Sequence, residues 1–303
     1  IYNTSCYRGI PGKYIAAGPL ASRWLQQQFV ADATLARSGA QVLGEPAAGY
    51  LSHPGYAALP KAPYRYQEML GVIWRENPSC YLQDGEQAVL LAALMETDNA
   101  GRPLIDAWIS RSGLSADAWL EKLFEASVIP FYHLLCRYGV ALIAHGQNVT
   151  LVMKDSIPQR ILLKDFQGDM RLVDEDFPQA ESLPKQVKAV TARLSANYII
   201  HDLQTGNFVT VLRFISRLTL QSGVSETRFY QILAGVLHRY MAAHPELAER
   251  FATFDLFKPQ IIRVILNPVK LTFSEHDGGS RMLPNYVTDL DNPLFLASRE
   301  SAQ

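Results

Sequence analysis

The chain has 303 residues, 48% of them hydrophobic, with 28 basic and 29 acidic side chains and a formal net charge of −1. That is enough for one large domain or two smaller ones around a sizeable core, and the balanced charge lacks the basic footprint of a nucleic-acid binder. No signal peptide and no apolar run long enough to span a membrane is read, and the first residue is Ile1, which suggests a trimmed or processed piece.

Cys6, Cys80 and Cys136 are widely spaced and form no C-x-x-C pair. They fit reduced thiols of a cytoplasmic protein better than a disulfide framework or a zinc site.

Ile1–Pro11 is strand-like and then turn-like, and puts Thr4, Ser5 and Arg8 within one short span. Gly18-Pro19 opens a helical pattern through Leu20, Trp24, Leu25 and Phe29 toward Leu35, stopped at Ser38-Gly39. Residues 41–50 read as a strand and then a turn. Over Tyr66–Trp74 strand and helix cannot be separated, and Arg75-Glu76-Asn77-Pro78 closes the segment. Arg75 suits either carboxylate binding or a plain Arg–Glu surface pair. Val89–Glu96 reads as a buried strand, turned by Asn99–Pro103 into Leu104–Ile109 as a second hairpin. Ser115 caps a helix through Trp119, Leu120, Leu123, Phe124 and Val128; Pro130 splits it, and it resumes to a Gly139 stop. His133 on that helix reads as a core histidine.

The stretch from Ala144 to Val173 organises the chain. His145-Gly146-Gln147-Asn148 is a polar cluster, followed by two strand-like runs, Val149–Lys154 and Gln159–Leu163, with turn chemistry at Asp155-Ser156-Ile157-Pro158. A hairpin returns the chain to its origin, so the cluster should lie near Lys164 and Asp165. An imidazole, two amides, an ammonium and one or two carboxylates at one ribbon end suit a nucleotide and its metal. Mg²⁺ in such sites takes one or two carboxylates with phosphate oxygens and water, which makes Asp165 the first choice of ligand and Asn148 the second. Protein kinases share the layout, but their catalytic Asp falls where this chain has Gln147, and an amide cannot take a hydroxyl proton.

Downstream, Lys185–Leu203 and Thr205–Leu220 give two amphipathic helical patterns. The His201-Asp202 pair within the first is read as structural, because neighbours on a helix point apart. Ser225 caps Glu226–Ala243, and Glu246–Phe254 makes one more short helix. Lys258–Lys270 ends in a lysine that could meet a helix dipole, with Arg263 a weaker candidate of the same kind.

H-G-Q-N at 145–148 followed by K-D-F-Q-G at 164–168 resembles the signature of the IucA/IucC family, the NRPS-independent siderophore synthetases. The likeness runs essentially end to end, through I-Y-N-T-S-C-Y-R-G-I-P-G, Y-G-V-A-L-I-A-H-G-Q-N and D-G-G-S-R-M-L-P-N-Y. It implies an α+β fold, with a small antiparallel sheet carrying the ATP site and a mostly helical C-terminal region. Residues 1–140 would be a fingers-like part and 141–303 a palm-like part. Members are about twice as long, so an N-terminal half with a phosphate-binding S-x-R-T segment is expected as a partner of this chain, and a homodimer is possible.

The resemblance also implies ATP and Mg²⁺ as cofactors. It assigns nucleotide and metal contacts to His145, Gln147, Asn148 and Asp165, with Lys164 beside them. Thr4 and Arg8 would face the nucleotide and a citrate-type carboxylate, and Lys270 would lie on the acyl-substrate side. His145, Arg8 and Lys270 are then the catalytic candidates. The implied activity is adenylation of a citrate-derived carboxylate, here a citryl monoamide, and its condensation with an amine, N6-acetyl-N6-hydroxylysine, in the cytoplasm. Ile143 stands where many members have Glu, and Lys164 where Arg is usual, which keeps the charge but loses the planar fork. A kinase-like phosphotransferase and a non-catalytic ferric-siderophore-handling module are the alternatives.

Overall fold

The computed structural model describes residues 12–51, 54–58, 70–166, 168–265 and 285–300. Thr4, Ser5, Arg8, Gln167 and Lys270 lie outside these residues. The elements run α1 (Gly12–Ala31), α2 (Ala33–Ser38), β1 (Gln41–Val42), β2 (Ala47–Leu51), α3 (Pro54–Ala57), β3 (Leu70–Trp74), β4 (Glu86–Leu90) and α4 (Leu104–Ser112). Next come α5 (Ala116–Ser127), α6 (Ile129–Tyr138), β5 (Val140–Leu142), β6 (Val149–Lys154), β7 (Ile157–Leu163), β8 (Met170–Val173), α7 (Lys185–Val190) and β9 (Ala192–Leu194). After the short turns α8 (Ala196–Ile199) and α9 (His201–Leu203) comes a π-helix, Gln204–Leu212, followed by α10 (Arg213–Leu218) and α11 (Glu226–Ala243). The described chain ends with α12 (Ala248–Thr253), β10 (Gln260–Ile265), β11 (Asn285–Asp291) and a helix, Pro293–Glu300.

The fold is α+β, as expected. The sheet behind the site has the order β1-β7-β6-β4, and a second, β5-β8-β9, lies beside it. Neither is purely antiparallel, since β1 runs parallel to β7 and β9 parallel to β8. The first sheet joins strands from both sides of residue 140. One continuous apolar cluster runs from Ala17 to Ala297, through Trp24, Trp119, Phe124, Tyr132, Phe166, Phe229 and Phe254.

The central hairpin forms where expected, but its turn is shorter. Asp155 and Ser156 alone make it, with φ of 50° and 65°, and Pro158 belongs to β7. Two left-handed residues match the strands' twist, so a two-residue loop closes the ribbon without the four allotted to it. Trp119 on α5 donates its indole N–H to the Ser156 carbonyl at 2.8 Å, tying the ribbon tip to the helix layer.

Helix boundaries follow their caps. Ser115 Oγ accepts from Ala118 N at 3.2 Å at the start of α5, and Pro130 sits in the first turn of α6, where its missing N–H costs nothing. Gly39 and Gly139 end α2 and α6 with left-handed φ. The first helix starts earlier than Gly18 and breaks at Asp32, whose carboxylate accepts from Thr34 N and Leu35 N and so starts α2.

Three expectations fail. Residues 86–90 make a strand that leaves the sheet at Leu90 in a 3₁₀ turn, and Leu104–Ser112 is a helix, so there is no hairpin there. The amphipathic stretch 185–203 is interrupted by β9, because Ala192–Leu194 finds an open edge on β8. The apolar run after Lys258 is a strand paired with Asn285–Asp291, not a helix.

Candidate functional site

The hairpin base brings the two polar ends together. Asn148 N closes a tight turn onto the His145 carbonyl at 2.9 Å, and Lys164 N donates to the Asn148 carbonyl at 3.3 Å. Val149 pairs with Leu163, so the 145–148 turn and the 164–165 pair leave the ribbon side by side. Gly146 is required by close approach: its carbonyl accepts from Ala92 N at 3.0 Å, and a Cβ there would stand 2.9 Å from that nitrogen. Gln147 is exposed, His145 and Lys164 are half-buried, and Asn148 is buried.

Asn148 is held by what lies beneath it. Its Nδ2 donates to Asp169 Oδ2 at 3.1 Å and to the Ile143 carbonyl at 3.4 Å. Only the NH₂ side of an amide can donate to a carboxylate, so this contact turns Oδ1 away from Asp169.

Asp165 has φ of 65°, a left-handed conformation that a non-glycine residue holds at a cost of order 1–3 kcal/mol. Lys164 Nζ is 3.8 Å from Oδ2, and Arg75 Nη2 is 2.6 Å from Oδ1. The same Arg75 nitrogen donates to Glu45 Oε1 at 2.9 Å.

Glu45 is the residue sequence reading missed. Its side chain is fully buried, its backbone N–H donates to Ser22 Oγ, and its Oε2 has no hydrogen-bond partner. Burial pushes its carboxyl above the ordinary range, although Arg75 pulls it down. Arg75, read equally as a carboxylate binder or a surface partner of a glutamate, is neither purely: it bridges a buried carboxylate to Asp165. The E-P and R-E dipeptides that carry the pair sit in turns 30 residues apart, and no spacing rule joins them.

A second polar group lies behind Asn148. His201 Nε2 is 3.3 Å from Asp202 Oδ1, so these neighbours do meet. The expectation that they diverge assumed a regular helix, whereas the chain is broken there into α8, α9 and the π-helix. Burial pushes the Asp202 carboxyl up, against the pull of His201 and Arg171. From the π-helix, Asn207 Nδ2 reaches the Ala144 carbonyl at 3.1 Å, and Gly206 lies against Ala144 N.

The donor set fits magnesium with a nucleotide. Asn148 and Asp165 leave the same hairpin base, and among the described residues no group of three or more His, Cys, Asp or Glu side chains forms a cage. A Mg²⁺ held mainly by phosphate oxygens and water needs no more. His133, by contrast, is structural: it is buried, with Nδ1 2.7 Å from Tyr240 Oη and Nε2 3.1 Å from Asp32. Arg263 is exposed on β10.

This fold is that of the siderophore synthetases, and the chain belongs to the IucA/IucC family. Residues 1–96 match that family's model, and residues 117–280 match the family described as ferric iron reductase FhuF-like transporter. The chain is 69% identical over 300 residues to aerobactin synthase of Escherichia coli, which covers 99% of this chain and 52% of the relative. The solved structure of aerobactin synthetase IucC from a hypervirulent pathotype of Klebsiella pneumoniae superposes with a TM-score of 0.83 at 63% identity, covering 95% of this chain and 49% of that one. ATP-bound aerobactin synthetase IucA from the same pathotype shares the fold, with a TM-score of 0.67 at 18% identity over 95% of this chain and 49% of that one. The chain spans about half the length of the curated relatives it matches. Among the described residues, no helix is long and apolar enough to cross a membrane.

Proposed function

We propose that the protein represented by this chain is an ATP-dependent siderophore synthetase of the aerobactin type, acting in the cytoplasm. It would join a citryl monoamide to N6-acetyl-N6-hydroxylysine with release of AMP and pyrophosphate. The observation that supports the reading is the hairpin base that sets the 145–148 turn beside Lys164 and Asp165. The high identity to an aerobactin synthase supports it.

A carboxylate is a poor electrophile at neutral pH, and transfer to AMP is the activation that ATP provides. Magnesium bound at Asp165 and Asn148 would neutralise phosphate charge. Lys164 adds an ammonium beside the carboxylate, and Arg75 holds Asp165 in its strained conformation through Oδ1. Preorganised charges of this kind stabilise the transition state because they need no rearrangement as the reaction proceeds. His145 and Gln147 would orient nucleotide and carboxylate, and the family resemblance gives Thr4 and Arg8 to the nucleotide and the citrate-type carboxylate and Lys270 to the acyl substrate. The half that relatives carry beyond this chain supplies the phosphate-gripping segment, so the chain alone should bind ATP weakly.

The FhuF-like match favours a second reading, a ferric-siderophore-handling module. An iron–sulfur centre needs several thiolates, whereas residues 117–280 contain Cys136 alone, and it is buried. A kinase-like reading lacks its base at Gln147. The test is pyrophosphate release by the full-length protein: Asp165→Ala should abolish it while far-UV circular dichroism is unchanged. ADP as product, or retained pyrophosphate release, would overturn the reading.

A further inference from the structure

One nitrogen of Arg75 serves two carboxylates. Nη2 donates to Glu45 Oε1 at 2.9 Å and to Asp165 Oδ1 at 2.6 Å, so both of its hydrogens are committed. The platform beneath this nitrogen is fixed on both flanks. The Glu45 side chain is fully buried, and its backbone N–H donates to Ser22 Oγ on α1 at 3.1 Å. One residue further along each strand root, Glu76 N donates to the Gly44 carbonyl at 2.9 Å, and the Glu76 carboxylate accepts from Gly44 N at 2.6 Å. Arginine suits the position, since its guanidinium stays charged and its planar fork can meet two carboxylates at once. The result is that the two oxygens of Asp165 are not equivalent. Oδ1 is taken by a short, charge-assisted hydrogen bond. Among the described residues Oδ2 accepts no hydrogen bond, and Lys164 Nζ stands 3.8 Å from it, beyond hydrogen-bond length.

We infer that Glu45 and Arg75 are positioning residues that reserve Oδ2 of Asp165 for the nucleotide's cation, and so select Mg²⁺ over Ca²⁺. The inference rests on the proposed reading of Asp165 as a metal ligand, and adds to it which oxygen is offered and to which ion. Ca²⁺ gathers about six to eight oxygens in flexible geometry and readily takes both oxygens of one carboxylate. Mg²⁺ is smaller, demands near-octahedral geometry and keeps several waters. The bite of one carboxylate is too narrow for two octahedral corners. Holding Oδ1 back therefore costs Mg²⁺ nothing, whereas Ca²⁺ loses a ligand.

The experiment uses the full-length protein without acyl substrate or amine, and measures Mg·ATP and Ca·ATP binding by titration calorimetry. The readout is the ratio of the two dissociation constants. A fold defect weakens both complexes together and leaves that ratio alone, whereas a freed Oδ1 moves it. Wild type should prefer Mg·ATP. Arg75→Met alone strands the Glu45 charge, so the variant used combines Arg75→Met with Glu45→Gln. In it the preference for Mg²⁺ should fall about tenfold, the scale on which groups that orient a metal ligand act. Glu45→Gln alone keeps an oxygen that accepts from Nη2, so Arg75 stays on Oδ1 and the preference should hold to within about twofold. An unchanged preference in the double variant would overturn the inference. So would its loss in Glu45→Gln alone, which would make the Glu45 charge, and not the occupied oxygen, the determinant. Asp165→Ala checks the reading beneath. If that variant keeps Mg·ATP binding, Asp165 holds no cation and the proposed site falls with this inference. If it loses binding while the double variant keeps its preference, this inference alone fails.

Discussion

Replacing Arg75 with Met isolates the electrostatic root of the site. Glu45 would keep a fully buried carboxylate with no counter-charge, since Arg75 Nη2 at 2.9 Å is its cationic partner. Breaking a buried pair by removing one member costs about 3–5 kcal/mol; with Arg75 itself 26% exposed, the low end of about 3 kcal/mol at pH 8 is expected. The cost should depend on pH. Burial already holds the Glu45 carboxyl above its ordinary value against the pull of Arg75, and loss of the guanidinium raises it further. A carboxyl raised by folding contributes stability that is intact below its unfolded pKa and lost as pH climbs through the folded one. The deficit of the variant should thus shrink as pH falls from 8 toward 5, by at most about 1.4 kcal/mol per pH unit. Urea midpoints across that range measure it. Adding Glu45→Gln should restore the double variant to within about 1 kcal/mol, because the stranded charge is gone. A deficit that ignores pH, or one that Glu45→Gln does not relieve, would refute the reasoning.

Asp32 anchors α2 and also receives His133 and Tyr138 at 3.1 Å each. Asp32→Ala should cost about 3 kcal/mol, a lost cap plus a stranded buried imidazole, read as a lower urea midpoint. Burial pushes the Asp32 carboxyl up, but hydrogen bonds from His133 and from the Thr34 and Leu35 amides outweigh it and hold it well below the usual range. Its contribution is therefore present above the unfolded carboxyl pKa and fades as pH falls through the acid region, so wild type and Asp32→Ala should converge in acid unfolding. Asp169→Asn should weaken Mg·ATP binding to the full-length protein by about 10–100-fold in calorimetry, since the Asn148 amide loses the carboxylate that fixes its orientation.

What the sequence made legible was what local chemistry controls. The hairpin at 149–163 followed from two β-branched runs with polar residues between, and its closure brought His145–Asn148 to Lys164–Asp165 without any tertiary information. Ser115, Gly39 and Gly139 marked helix ends because caps act within one turn. Glu45 and Arg75 were not legible as a pair, because only the β2–β3 pairing carries one to the other. The strand at Ala192–Leu194 was hidden for a similar reason: an amphipathic stretch meets an open edge on β8, and that edge is invisible in the residues themselves. His201 and Asp202 were misread by assuming regular winding across a region that abandons it.

That irregular winding limits how the chain can change length. Gln204–Leu212 packs more residues into each turn than the α-helices on either side. Deleting one residue within it would let ordinary α winding resume, with α9 and α10 keeping their mutual orientation. Residues inside the segment would not be spared, since one position on an α-helix is a rotation of about 100°. Asn207 would swing off the Ala144 carbonyl, and Gly206 would give up its close approach to Ile143 and Ala144, just before the 145–148 turn. The protein could shed that surplus residue and still fold, but the turn bearing His145 would lose the floor it stands on.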